Sequence, residues 1–187
     1  TNVNHLAKLE ILDAHNDYDR CGINDVGMVH CINLKSVNAR GNQKITNVNH
    51  LVNLEILDAS GYNCGINDAG IVKCINLKTL NASGNQKITN VNNLAKLEML
   101  DAYGNYSGIN DAGIVHCINL KSLSASDNSK ITNVNHFVNL EILNACDDCG
   151  INDAGIAQCI NLKKLYASKN PKITNVNHLT KLEILYS

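Results

Sequence analysis

The sequence predicts a repeat solenoid, and three observations carry that prediction. The segment ITNVNHLVNLEIL, from Ile45 to Leu57, returns almost unchanged from Ile88, Ile131 and Ile173, so one unit of about 43 residues is copied end to end, a period that marks stacked repeats. Within each unit apolar residues recur as L-x-x-L-x-x-L-x-A, as in Leu94, Leu97, Leu100 and Ala102, and again, with cysteine first, in Cys74, Leu77, Leu80 and Ala82. A charge of alternating sign precedes the end of each such stretch: Glu10, Lys35, Glu55, Lys78, Glu98, Lys121, Glu141, Lys163 and Glu183.

The first element of each half-unit is a short strand. Leu100 and Ala102 are two apart and point to one side of an extended chain, while Met99, Asp101 and Tyr103 point to the other. One side packs and the other faces solvent. After the strand the chain must turn inward, and Asn42, Asn85, Asn105, Asn128 and Asn170 stand at that turn. A side-chain amide there can satisfy backbone groups that a buried turn leaves unpaired.

The motif L-x-x-L-x-x-L-x-A-x-x-N resembles the leucine-rich repeat, and the resemblance covers the whole chain in about nine copies. It implies an α/β horseshoe with a parallel sheet on the concave face and short helices or 3₁₀ turns on the convex side. The shorter half-unit, NQKITNVNHL, resembles the internalin type, whose convex segment is a short 3₁₀ turn. The longer half, CGINDAGIVKCINL, resembles the ribonuclease-inhibitor and cysteine-containing types. In the longer half Asn67 or Asp68 is placed to cap a helix running from Ala69 to Lys73, with Asp25, Asp111 and Asp153 in the equivalent place.

The repeat also accounts for residues that would otherwise suggest chemistry. Of the eight cysteines, Cys31, Cys74, Cys117 and Cys159 stand where the shorter halves have Leu or Phe, and so read as core residues. Cys21, Cys64 and Cys149 precede Gly-Ile-Asn-Asp, where the third unit has Ser107, so no disulfide is common to every unit and reduced thiols are expected. Equivalent side chains in successive units lie two strand spacings apart, roughly 10 Å, too far to share a zinc ion. That spacing removes a ladder of His5, His50, His136 and His178, and no metal or other cofactor is expected. No nucleophile, base and orienting group recur and no glycine-rich phosphate loop is present, so the segment does not read as an enzyme. A net charge of −1, from 16 basic and 17 acidic residues, gives no electrostatic footprint for nucleic acid or an anionic membrane. No apolar run approaches the roughly 20 residues that cross a bilayer, and Thr1 to His5 do not read as a signal peptide.

What remains for recognition is the concave face. One column of outward residues reads Ile11, Ser36, Ile56, Thr79, Met99, Ser122, Ile142, Lys164 and Ile184. The next reads Asp13, Asn38, Asp58, Asn81, Asp101, Ser124, Asn144, Tyr166 and Tyr186, and a third runs from His15 and Arg40 through Ser60, Ser83, Tyr103, Ser126 and Cys146 to Ser168. These positions are not required by the repeat, so they are free to bind. Departures from it concentrate at Tyr103, Lys164, Tyr166 and Tyr186, which are expected to form a partner-binding patch, with Asp13, Asp58 and Asp101 as an acidic stripe and Arg40 beside it. The longer, more charged loop from His15 to Arg20 is a second candidate.

The expected function is a protein-interaction scaffold with a protein partner, inside the cell. A secreted or surface-displayed recognition protein is the alternative that the internalin-like half implies, and Asn81-Ala82-Ser83 and Asn105-Tyr106-Ser107 are formal glycosylation sequons. A substrate-recruiting arm of an enzyme complex, such as a ubiquitin-ligase receptor, is a third reading. Residues 1–187 are expected to form a single domain that begins and ends in mid-pattern without caps, as a fragment of a longer chain would.

Overall fold

The structure is a computed structural model, and it describes residues 1–16 and 21–187. Nine three-residue strands, all parallel and in chain order, form one sheet among these residues: β1 Ile11–Asp13, β2 Ser36–Asn38, β3 Ile56–Asp58, β4 Thr79–Asn81, β5 Met99–Asp101, β6 Ser122–Ser124, β7 Ile142–Asn144, β8 Lys164–Tyr166 and β9 Ile184–Tyr186. The middle residue of each strand from β1 to β8, from Leu12 to Leu165, points into the core, and the residues on either side point outward. The register, Ile11 beside Ser36 and Asp13 beside Asn38, continues in step to Lys164 beside Ile184 and Tyr166 beside Tyr186. The first two columns read from the sequence are therefore real rows of neighbours.

The two kinds of half-unit differ on the convex side. The longer ones carry single-turn helices, α1 Asp25–Met28, α2 Asp68–Ile71 and α3 Asp111–Ile114, and a 3₁₀ turn at Ala154–Ile156 in the last unit. These helices end before Lys73 and its equivalents. Asn67, not Asp68, is the cap: its side chain accepts from the Gly70 N–H at 3.0 Å, as Asn110 does from Gly113. Asp68 instead reaches the next half-unit, accepting from the Thr89 N–H at 2.7 Å and its hydroxyl at 2.6 Å, and Asp25, Asp111 and Asp153 do the same. The helix start and the bond between neighbours are thus divided between two adjacent residues. The shorter halves make successive turns closed by bonds of the 3₁₀ type, such as Leu51 N–H to Val48 O and Leu54 N–H to Leu51 O, in line with the short 3₁₀ turn expected there.

Side chains between sheet and convex turns form one continuous core, in which Cys31, Cys74, Cys117 and Cys159 are buried among Leu, Ile and Val as expected. Each of these thiols lies 3.4–3.6 Å from the backbone oxygen of Val3, Val48, Val91 or Val134. The turn asparagines are buried too. Asn85 donates to the carbonyls of Ala59 and Ile66 at 2.8 and 3.1 Å and accepts from the Lys87 N–H at 2.8 Å, a pattern repeated at Asn42, Asn128 and Asn170.

Asn105 does not belong to this set. It is exposed, and the inward position is held by Ser107 two residues later. The longer half adds residues after its strand, two before Cys64 and Ser107 and one before Cys149, so these three take the place that asparagine holds in the shorter half. Cys64 keeps part of the role, its thiol donating to the Ala39 carbonyl at 3.6 Å.

Candidate interaction surface

The outer faces of the strands form an open surface on which the repeat leaves side chains free to vary. In the first column Ile11, Ile56 and Met99 are about half exposed or more, alternating with Ser36, Thr79 and Ser122. The second column has a local task that the sequence did not reveal. Asp58, Asn81 and Asp101 each accept from the backbone N–H two residues on, at Ser60, Ser83 and Tyr103, at 2.9–3.0 Å. These short Asx bonds end the strand, so the acidic stripe of Asp13, Asp58 and Asp101 is partly architectural. Asp13 also pairs with the His15 ring at 2.8 Å, and that hydrogen bond holds its carboxyl below the usual range.

Where the second column abandons Asx, two tyrosines replace it. The rings of Tyr166 and Tyr186 stack in neighbouring strands with centroids 5.2 Å apart and planes 5° from parallel. Lys164 stands on the same outer face of β8, two residues before Tyr166. These three predicted site residues therefore share one patch at the β8–β9 end.

Tyr103 is not part of it. It follows β5, three strands before β8, and lines a separate trough of about 640 Å³ with Arg40, Ser60, Ser83, Tyr106 and Asp127. Tyr106 in turn meets Tyr62 edge to face at 6.1 Å. Tyr62, Tyr106 and Asp127 were not singled out from the sequence as binding residues, and Ser83 stood there only as one member of the third column. The signal was present: a glycine recurs after the third column at Gly41, Gly61, Gly84 and Gly104, and then gives way to Asp127, Asp147 and Lys169. Asp17, Tyr18, Asp19 and Arg20 of the first-unit loop lie outside the described residues.

The remaining polar features serve the solenoid. Lys35, Lys78, Lys121 and Lys163 each bond the glutamate of the preceding strand, Glu10, Glu55, Glu98 and Glu141, at 2.8–3.0 Å. Their side chains are about half exposed and each pair is worth little, but stacking like charges would repel. All eight cysteines are free, six of them buried. Burial pushes the thiols of Cys74, Cys117, Cys149 and Cys159 up to about 11, which leaves them unreactive near neutral pH. Among the described residues no group of three or more His, Cys, Asp or Glu could hold a metal ion, and no helix is long and apolar enough to cross a membrane.

Parallel three-residue strands on a concave face, alternating convex turns and a buried asparagine ladder define a leucine-rich repeat solenoid. Among solved structures the chain is similar to internalin C2 of Listeria monocytogenes, with 23% identity, a TM-score of 0.66 and coverage of 96% of this chain and 81% of that one. A second internalin of the same organism matches at 23% identity and a TM-score of 0.57, covering 87% of this chain and 51% of the internalin. The likeness is one of fold. No protein-family profile matches the chain, and no curated protein sequence matches it.

Proposed function

We propose that this chain is a protein-interaction scaffold that recognises a protein partner through its concave sheet and has no catalysis of its own. The stacked pair Tyr166–Tyr186, with Lys164 beside it, carries this reading. Two large rings held parallel on a sheet lose little freedom on binding and offer apolar faces with polar tips, the usual make-up of an interface anchor. The half-exposed Ile11, Ile56 and Met99 and the carboxylates of Asp13, Asp58 and Asp101 extend the surface toward β1. Tyr103 and Arg40 form a second contact region along the trough. Affinity capture with the wild-type chain, repeated with Tyr166→Ala/Tyr186→Ala, tests the proposal: the double variant should bind the captured partner at least about tenfold more weakly. Equal capture would remove the patch from the account.

The free, mostly buried cysteines favour residence in a reducing compartment, with residues 1–187 as one repeat domain. The fold shared with internalins favours the alternative of a secreted or surface-displayed recognition protein. Thiol titration of the natively expressed protein under denaturing conditions separates the two. Eight reactive thiols are expected for the intracellular form, and a count reduced by pairs would favour the secreted one.

A further inference from the structure

The trough beside Tyr103 has a defined floor, walls and end. Its floor includes the positive-φ turns at Gly61, Gly84 and Gly104. A Cβ on Gly84 would meet nothing within 4 Å and one on Gly104 nothing nearer than 3.9 Å, so at these two turns the missing side chains leave space open to solvent. The same backbone position in the following repeats holds Asp127 and Asp147, at φ 57°, and there side chains fill the space. The trough therefore ends at the Asp127 carboxylate. Tyr103 and Tyr106 stand at this end with Asp127. Asp127 first, with Asp147 and Asp101, raises the pKa of Tyr103, which marks a negative local field. The opposing charge nearby is Lys169, 4.0 Å from Asp147 with its side chain 84% exposed. On the floor, the Ser83 Oγ is withdrawn from solvent and has no hydrogen-bond partner.

We propose that this trough binds an extended segment of a protein partner, with one arginine or lysine side chain at its Tyr103–Asp127 end. The charge and the two exposed rings suit a cation, which gains from a carboxylate and from aromatic faces together. Gly84 gives a floor without a side chain to hold a peptide backbone away. From Arg40 to Asp127 the trough crosses four strand spacings, about 19 Å, the reach of about six extended residues.

This inference rests on the protein-binding reading, and its test is separate from it. The uniformly ¹⁵N-labelled chain is titrated with an N-acetylated, C-amidated hexapeptide of glycine and serine carrying one central arginine. Its twin carries citrulline, which keeps the shape and loses the charge, and maltohexaose is titrated alongside as an uncharged sugar. The arginine peptide should shift the amides of Ser83, Gly84, Gly104 and Asp127, and the citrulline peptide should bind at least about tenfold more weakly. Asp127→Asn, which keeps a residue tolerant of positive φ, should lose the same factor. Gly84→Lys should abolish the shifts while keeping a dispersed spectrum, since Lys169 occupies the equivalent turn. Equal binding of the twins, shifts outside the trough, no shift at millimolar peptide, or shifts from maltohexaose alone would each overturn the proposal. A trough that ignores the peptide while Tyr166 and Tyr186 still capture a partner would sink this inference and leave the scaffold reading in place.

Discussion

Asn85→Ala is expected to lower the unfolding free energy by about 3–5 kcal/mol, a large part of the stability of a typical domain. The amide is 1% exposed and satisfies four backbone groups: it donates to Ala59 and Ile66 and accepts from the N–H groups of Lys87 at 2.8 Å and Ile88 at 3.3 Å. Alanine removes all four bonds and leaves carbonyls in a core that offers no other donor, each costing about 1–3 kcal/mol before the structure relaxes. Urea unfolding followed by circular dichroism measures the change. Because neighbouring repeats couple only to each other, the transition should also broaden as the two arms separate. Asn105→Ala is the control: that residue is exposed, so its loss should change stability by no more than about 0.5 kcal/mol. A loss below about 1 kcal/mol at Asn85 would show that the ladder is not what holds successive turns together.

Gly113→Ala should also destabilise, by about 2–4 kcal/mol, although helix propensity alone predicts a gain of about 1 kcal/mol. Gly113 lies in α3 against the preceding half-unit, and a Cβ there would collide with the backbone carbonyl oxygen of Thr89 and approach the Asn90 Cα to 3.4 Å. The obstacle is backbone, so no rotamer change relieves it. Separating the half-units to make room would also stretch the bond from the Val91 N–H to the Gly113 carbonyl at 2.8 Å. Overpacking and a lost hydrogen bond therefore outweigh the better helix former. Gly27, Gly70 and Gly155 meet the equivalent carbonyls of Thr1, Thr46 and Thr132, which explains why glycine sits inside each of these short turns. Thermal unfolding of Gly113→Ala decides the sign, and a raised midpoint would contradict the close approach.

The fold was legible in the sequence wherever one residue type served one purpose in every unit. Leu100 and Ala102, two apart, announce a strand, and the Glu10-to-Glu183 alternation reports its stacking before any neighbour is seen. Reading failed where a local length change moved a role along the chain. Asn105 matches Asn85 by sequence, yet the two residues added in the longer half turn it outward and bring Ser107 in. The division of labour between Asn67 and Asp68 was hidden for a related reason: either side chain can cap, and only the approach of Thr89 from the next half-unit assigns Asp68 elsewhere.

The candidate site was legible in part. Tyr166, Tyr186 and Lys164 were visible as departures in fixed columns, and strand register alone brings them together. Tyr103 was visible as a departure but not as a neighbour of Tyr106 and Asp127, because that grouping depends on turns with positive φ beyond the strand, where period-two reasoning stops. The structural share of Asp58 and Asp101 was hidden because it depends on where each strand ends, which sequence patterns place only to within a few residues.

The central claim is that residues faithful to the repeat build the solenoid while departures on its concave face bind. The most direct test measures partner affinity and unfolding midpoint on the same preparation of Tyr166→Ala/Tyr186→Ala. The stacked rings are partly exposed, and losing their contact should cost only about 0.5–1.5 kcal/mol. The account predicts an affinity at least about tenfold lower with a nearly unchanged midpoint. Unchanged affinity, or affinity that falls only as far as the folded fraction falls, would contradict it.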